Sequence, residues 1–242
     1  GESSCGKSLS ALALMGLLPE GASVSGSMRL GGQELVGLGE SALCALRGNR
    51  IAMVFQEPMS SLNPVFTVGY QIEEVLKEHK GLSGKAARDR AIALLTEVGI
   101  PEPNIKIDSF PHQMSGGQQQ RAFLARALAQ EPHILLMDEP FTGVDVTTQE
   151  VTLGLLDHLR DQQVTAIIST HDLNLAASRF DLVLLVNHRM IAYGTPQQVF
   201  TKEHLASAFG NSLLVMENGM MLVDACCPPD EEHHHHSHAG AK

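Results

Sequence analysis

Long apolar runs and positive charge are both scarce in this chain. No apolar stretch reaches the roughly 18–20 residues that cross a bilayer as a helix. The best candidates, Leu9–Leu18 and Ile134–Met137, are short or broken by polar and small residues. Lys and Arg number 17 against 27 Asp and Glu, a net charge of −10 with His neutral. Gripping nucleic acid along its backbone takes a basic field, so no nucleic acid is expected as a partner. Cysteine is also sparse, with Cys5 and Cys44 isolated and Cys226 next to Cys227. Four cysteines in 242 residues do not make a disulfide framework, and they point to a reducing, cytoplasmic setting. Hydrophobic residues make up 43%, ordinary for a globular chain long enough to bury a sizeable core.

Hydrophobic periodicity and turn residues divide the chain into elements. Lys7–Leu18 reads as a helix stopped by Pro19, and Met28–Leu30 and Gln33–Leu35 as short strands around Gly31-Gly32. Ile51–Phe55 has strand length and is followed by the turn-rich loop "QEPMSSLNP". Val68–His79, Lys85–Val98 and Gly116–Gln130 read as helices. From Pro132 on, strands and helices alternate: strand Ile134–Met137, helix Thr147–Arg160, strand Val164–Ser169, helix Leu173–Arg179, strand Leu182–Val186. Apolar strands between helices predict an α/β fold with a parallel sheet covered on both faces. Leu213–Val223 carries Asn218-Gly219, a hairpin signal. The polar tail that follows is compositionally biased and expected to be disordered.

Three stretches carry chemistry. The first, "GESSCGKS", fits the phosphate-loop pattern G-x-x-x-x-G-K-[ST]. Backbone N–H groups of Gly1, Ser3, Ser4, Cys5 and Gly6 would cradle phosphate at a helix start. Lys7 would reach the β- and γ-phosphates and Ser8 would ligate Mg²⁺. The second, "ILLMDEP", is an apolar strand that delivers Asp138 to the carboxyl edge of a sheet, where ligands bind. Asp138 suits the Mg²⁺ shell, and Glu139 is placed to polarise an attacking water. The third, "MSGGQQQR", puts Ser115, Gly116 and Gly117 at a helix start, a second anion site. Taken singly, each has a plainer reading: a chance match, a solvated acidic turn, or a serine helix cap. One ATP does not need two phosphate cradles from one chain, but it can use one from each of two chains.

With these motifs in view, the sequence resembles the ATP-binding subunits of ABC transporters. "SGGQQ" is similar to the family signature usually written LSGGQ, with Met114 in place of the leucine. Gln56 matches the family's Q-loop glutamine, "FTGVD" ending at Asp145 matches the D-loop, and His171 matches the switch histidine. The match runs from Gly1 to about Phe209 in the family's motif order. The resemblance implies a P-loop ATPase core over 1–56 and 113–210, a helical subdomain over 57–112 that contacts a membrane permease, and a hairpin with a Cys/His-rich tail over 211–242. It implies that the core strand ahead of the phosphate loop, and an aromatic that stacks on adenine, lie upstream of Gly1. Two such domains pair head to tail, as a homodimer or with another ATPase subunit. Lys7, Ser8, Gln56 and Asp138 then serve phosphate and Mg²⁺, with Ser8, Gln56 and Asp138 as metal ligands. Glu139 is the general base, His171 steadies the γ-phosphate and the water, and Ser115, Gly116, Gly117 and Gln118 act on the partner's ATP. Asp145 joins the nucleotide site through the D-loop.

The expected activity is ATP hydrolysis driving import through integral permease subunits, served indirectly by a substrate-binding protein, at the cytoplasmic face of the cell membrane. The family's subgroups are mixed. "VFQEPMSSLNPVFTVGYQIEEVL" resembles peptide and nickel importer ATPases, whereas "RAFLARALAQEPHILLMDEPFTGVDVTTQE" is more similar to manganese and zinc importer ATPases. Cargo is therefore expected to be a metal ion or a peptide- or nickel-type solute. His233–His236, His238 and Cys226–Cys227 form a candidate metal-buffering tail. Two alternatives stand beside the importer: a non-transport ABC ATPase, and an inactive truncated or mosaic fragment. The family usually has glycine where Ser4 stands. If that position needs positive φ, serine costs about 1–3 kcal/mol there.

Overall fold

A computed structural model describes residues 7–55, 62–209, 213–215 and 221–223. The chain divides into two compact units, Gly1–His171 and Asp172–Lys242.

The first unit is built on three parallel strands, preceded in the chain by a small ribbon. That ribbon pairs β1 (Arg29–Leu30) with β2 (Gln33–Glu34), antiparallel across the Gly31-Gly32 turn. The parallel strands are β3 (Ile51–Val54), β4 (Ile134–Asp138) and β5 (Thr165–Ser169), in the order β3-β4-β5. The registers align Val54 with Met137, and Asp138 with Ser169. Parallel strands share one carboxyl edge, so the residues after β3, β4 and β5 emerge on the same side. All four residues of β3 are buried, as are Leu135–Asp138 of β4. β5 is more open, and Ile167 in its middle is 47% exposed.

Helix α1 (Lys7–Met15) covers β3 and β4, where Met15, Ile51, Met53 and Leu136 form one cluster flanked by Ala11, Leu12 and Leu14. The helix ends three residues earlier than its apolar run predicts. Gly16 turns the chain at φ 63°, a conformation glycine adopts freely, so it and not Pro19 is the stop. The short helix α2 (Glu40–Leu46), absent from the sequence-based expectation, leads into β3.

Helices α3 (Val68–Lys80), α4 (Gly84–Glu97), the short α5 (Pro103–Lys106) and α6 (Gly116–Leu128) pack together. α3 starts at Thr67, whose hydroxyl accepts the Tyr70 N–H, and stops at Gly81 in the left-handed conformation. Gly69 is required by close approach: a Cβ there would lie 2.4 Å from Ile107 Cγ1 and 2.6 Å from the Ile107 carbonyl, which accepts the Gly69 N–H. α6 is buried along most of its length and passes from this helical group under β3. Helix α7 (Val146–Asp161) connects β4 to β5 and packs on β5, completing a crossover.

In the second unit, α8 (Leu173–Arg179) precedes β6 (Val183–Asn187), which corresponds to the expected strand Leu182–Val186. β6 pairs antiparallel with β7 (Arg189–Gly194) across a turn at His188, which has φ 53°. The short link Asn187–Arg189 leaves no room for a crossover helix, so antiparallel pairing is the only local option. Helices α9 (Pro196–Val199) and α10 (Lys202–Phe209) follow. β8 (Leu213–Val215) and β9 (Met221–Val223) pair antiparallel, as the hairpin signal predicts, while Asn218-Gly219 itself lies outside the described residues.

Candidate active site

The acid pair is set by the end of β4. Asp138 is buried, and the residue opposite it in β5, Ser169, donates its hydroxyl to Asp138 Oδ1. The same Ser169 oxygen accepts the Glu139 N–H at 3.0 Å, and the Ser169 carbonyl accepts it at 3.1 Å. One serine thus holds both the aspartate side chain and the glutamate backbone. Glu139 has φ 46°, which turns the chain sharply off the strand. A non-glycine residue pays about 1–3 kcal/mol for such a conformation and keeps it only where surrounding bonds over-determine it. The doubly engaged N–H is that constraint.

The turn aims the Glu139 carboxylate at two partners. Thr142 Oγ1 donates to Glu139 Oε2 at 3.1 Å, and His171 Nδ1 lies 3.3 Å from the same oxygen. The His171 side chain is 68% exposed and that of Glu139 only 20%. A half-buried carboxylate facing an exposed imidazole, beside a buried carboxylate, is an arrangement that can take a proton from a water at the sheet edge.

The signature stretch caps α6. Ser115 sits at the N-cap with φ −66° and ψ 159°. Its hydroxyl accepts the Gln118 N–H at 3.3 Å, and the Gln118 side-chain oxygen accepts the Ser115 N–H at 3.2 Å. This reciprocal box is neutral, so the positive end of the helix carries no anion of its own. Ser115 and Gly116 are exposed, and Gly117 is half-buried against Thr148.

Asp145 caps α7 differently. Its Oδ1 accepts the Thr148 N–H at 3.0 Å and its Oδ2 accepts the Thr148 hydroxyl at 2.8 Å. These bonds from the Thr148 backbone and then its hydroxyl hold the carboxyl below the usual carboxylate range. Arg121 of α6 donates to the Thr148 hydroxyl at 3.0 Å.

The described contacts therefore gather Asp138, Glu139 and His171 in one group, and Ser115, Gly117, Gln118 and Asp145 in a second group around the α6 and α7 starts. Lys7 opens α1, and Ser8, next along it, is half-buried. Gly1, Ser3, Ser4, Cys5, Gly6 and Gln56 lie outside the described residues, as do Cys226, Cys227, His233–His236 and His238. The sequence reading missed Ser169, Thr142, Thr148, Arg121 and Gln120. Ser169 had a signal, since it ends the strand next to the one that delivers Asp138. The others are polar residues in loops or on helices, and no spacing rule distinguishes them from solvated ones.

The sequence pattern of the family described as ABC transporter matches residues 1–142, more than half of the 242. The chain belongs to this family. It is 48% identical over 188 residues to an oligopeptide transport ATP-binding protein of Mycobacterium tuberculosis, covering 77% of this chain and 31% of that protein. It is 43% identical over 203 residues to a dipeptide transport ATP-binding protein of Haemophilus influenzae, covering 83% and 62%. It is also 43% identical over 205 residues to a peptidoglycan transport ATP-binding protein of Agrobacterium fabrum, covering 83% and 38%. The chain thus spans 31% to 62% of the length of these ABC proteins. Among solved structures it resembles a dimeric ATP-binding cassette in a post-hydrolysis state bound to ADP and Pi, with TM-score 0.70 and 28% identity, over 79% of this chain and 81% of that one. A Clostridium perfringens cassette, part of the ABC transporter complex cbiONQ, matches with TM-score 0.70 and 27% identity, over 86% and 79%. The fold is that of an ABC ATPase cassette.

Proposed function

We propose that this ABC-family chain is the ATP-hydrolysing part of an importer that works through a membrane permease. The observation that carries the reading is the pinned acid pair: Asp138 and Glu139 locked by Ser169, with His171 Nδ1 3.3 Å from Glu139 Oε2. Gly1, Ser3, Ser4, Cys5, Gly6 and Lys7 bind the phosphates of ATP, and Gln56 contributes from its loop. Glu139 takes the proton of a water that attacks the γ-phosphorus, the bond to the β-phosphate oxygen breaks, and ADP and phosphate leave. His171 orients that water and the γ-phosphate. The rate comes from positioning and charge stabilisation, as in other phosphoryl transfers. Ser8, Gln56 and Asp138 offer only oxygen ligands, a donor set that fits Mg²⁺. When bound, Mg²⁺ neutralises charge on the β- and γ-phosphate oxygens.

Ser115, Gly116, Gly117 and Gln118 act on the ATP of a second cassette packed head to tail, and Asp145 lies at the same junction. Exposure of Ser115 and Gly116 supports this, because the neutral start of α6 is open to an incoming anion. ATP-driven closure of the pair is the power stroke. The segment 57–112 docks on the permease. There Val65 is 72% exposed, and Phe66 and Tyr70 stack with centroids 4.7 Å apart while remaining exposed. Among the described residues no helix is long and apolar enough to cross a membrane; the place proposed from the family is peripheral, on the cytoplasmic face. The cargo is of the peptide class, as the names of the relatives suggest. The metal-ion cargo expected from the second half of the sequence finds no support in those names.

The test is Glu139→Gln. ATP binding should persist within about threefold while hydrolysis falls by at least a hundredfold. Wild-type turnover by this variant would sink the assignment.

A further inference from the structure

Three contacts tie the start of α6 to its surroundings, one to the loop that follows the acid pair and two to Thr148 in the first turn of α7. Gly117, Gln120 and Arg121 are spaced i, i+3, i+4 and so share one face of the helix. Gln120 is buried and donates its Nε2 to the carbonyl of Pro140, the residue after Glu139. Arg121 Nη1 donates to Thr148 Oγ1 at 3.0 Å, and that hydroxyl donates onward to Asp145 Oδ2 at 2.8 Å. A hydroxyl has one proton, so its commitment to Asp145 makes it an acceptor towards Arg121, and the relay has a fixed direction. Gly117 completes the seat: a Cβ there would stand 2.9 Å from Thr148 Oγ1. Stability alone does not explain Arg121. Its Nε is buried without a hydrogen-bond partner among the described residues, a costly state that calls for another reason.

We propose that Arg121 and Thr148 are positioning residues that carry the state of the signature turn to Asp145 and the acid-pair loop of the same chain. The inference rests on the ATPase reading above. In a head-to-tail pair, Ser115–Gln118 meets the nucleotide of the partner's site, whereas Glu139 serves the chain's own. The relay therefore links the two sites: nucleotide held at one sets the loop that works at the other. The chemistry recognised at the input end is the γ-phosphate of a nucleoside triphosphate, and the output is the placement of Asp145 and Glu139.

The experiment uses the whole protein with paired variants. Thr148→Val keeps the shape and removes the hydroxyl; Thr148→Ser keeps the hydroxyl. Valine should lower kcat about tenfold, move KM for ATP less than about twofold, and bring the Hill coefficient down towards 1. Serine should return all three to within about twofold of wild type. Should the valine variant fail to fold, Arg121→Met removes the donor while keeping the apolar stem. A second readout needs no turnover. Without nucleotide, Arg121→Met should raise hydrogen exchange about tenfold at the Thr148 and Gln149 amides, which bond to the Asp145 side chain and carbonyl. Unchanged exchange, or a folded Arg121→Met or Thr148→Val protein with wild-type kcat and cooperativity, overturns the relay. Raised exchange in a protein whose wild type hydrolyses no ATP leaves the relay standing and removes the ATPase reading instead.

Discussion

Two helices of the first unit begin with almost the same backbone and opposite electrostatics. Ser115 at the start of α6 has φ −66° and ψ 159°; Asp145 at the start of α7 has φ −68° and ψ 155°. Each places a side-chain oxygen on the N–H three residues on. At α7 that oxygen belongs to a carboxylate, already satisfied by Thr148 and backed by Arg121, so the positive helix end has its anion within the chain. At α6 the cap is a hydroxyl reciprocated by a neutral glutamine, and the end is left able to receive an anion from outside. A helix start becomes receptive by what its cap withholds, because the partial charge of the first turn is the same in both cases.

Reversing the electrostatics of α6 should have the largest effect. Ser115→Asp caps a helix as well as serine does, so the unfolding temperature should stay within a few degrees, while kcat/KM for ATP should fall by about a hundredfold or more. Unchanged kinetics would mean that the α6 start meets no phosphate. The twin glycines should then separate. Gly117→Ala forces a methyl against Thr148 and should destabilise the fold by about 1–3 kcal/mol. Gly116→Ala meets nothing within 4 Å and should stay within about 0.5 kcal/mol. Chemical denaturation of the two proteins measures this, and equal losses would refute the seat described for Thr148.

The smallest effect concerns acid. The folded Asp145 carboxyl lies below its unfolded value, so its contribution is present above that unfolded value, about 3.9. It is lost as pH falls through the lower folded value. Asn also caps helices but does not titrate. Asp145→Asn should therefore flatten the fall in unfolding midpoint between about pH 5 and pH 2. Parallel acid profiles in the two proteins would show that Asp145 adds nothing to acid sensitivity.

Much of the first unit was legible because its signals are local. The apolar strands Ile51–Val54 and Ile134–Asp138 and the serine cap at Ser115 each follow from a few neighbouring residues. Asp138 and Glu139 were found by their place after a strand and His171 through the family resemblance, and the structure brings the three together. The antiparallel partner of Leu182–Val186 was not foreseen. The composition of that strand suits either pairing, and only the short turn at His188 decides for antiparallel. Ser169 and Thr142 escaped because a hydroxyl at a strand end or in a turn is common, and its use depends on which carboxylate folds beside it.

The sequence by itself determined the order of the motifs, the residue types that can hold phosphate and metal, and the helix and strand periods that place them at a sheet edge. These depend on spacing along the chain, which is written in it. The tertiary structure alone decided that Ser169 grips Asp138, that His171 faces Glu139, and that Arg121 reaches Asp145 through Thr148. The contacts of Ser169 with Asp138, His171 with Glu139 and Arg121 with Thr148 join residues about thirty positions apart, and short-range directional bonds between distant segments exist only once packing has brought the segments within reach.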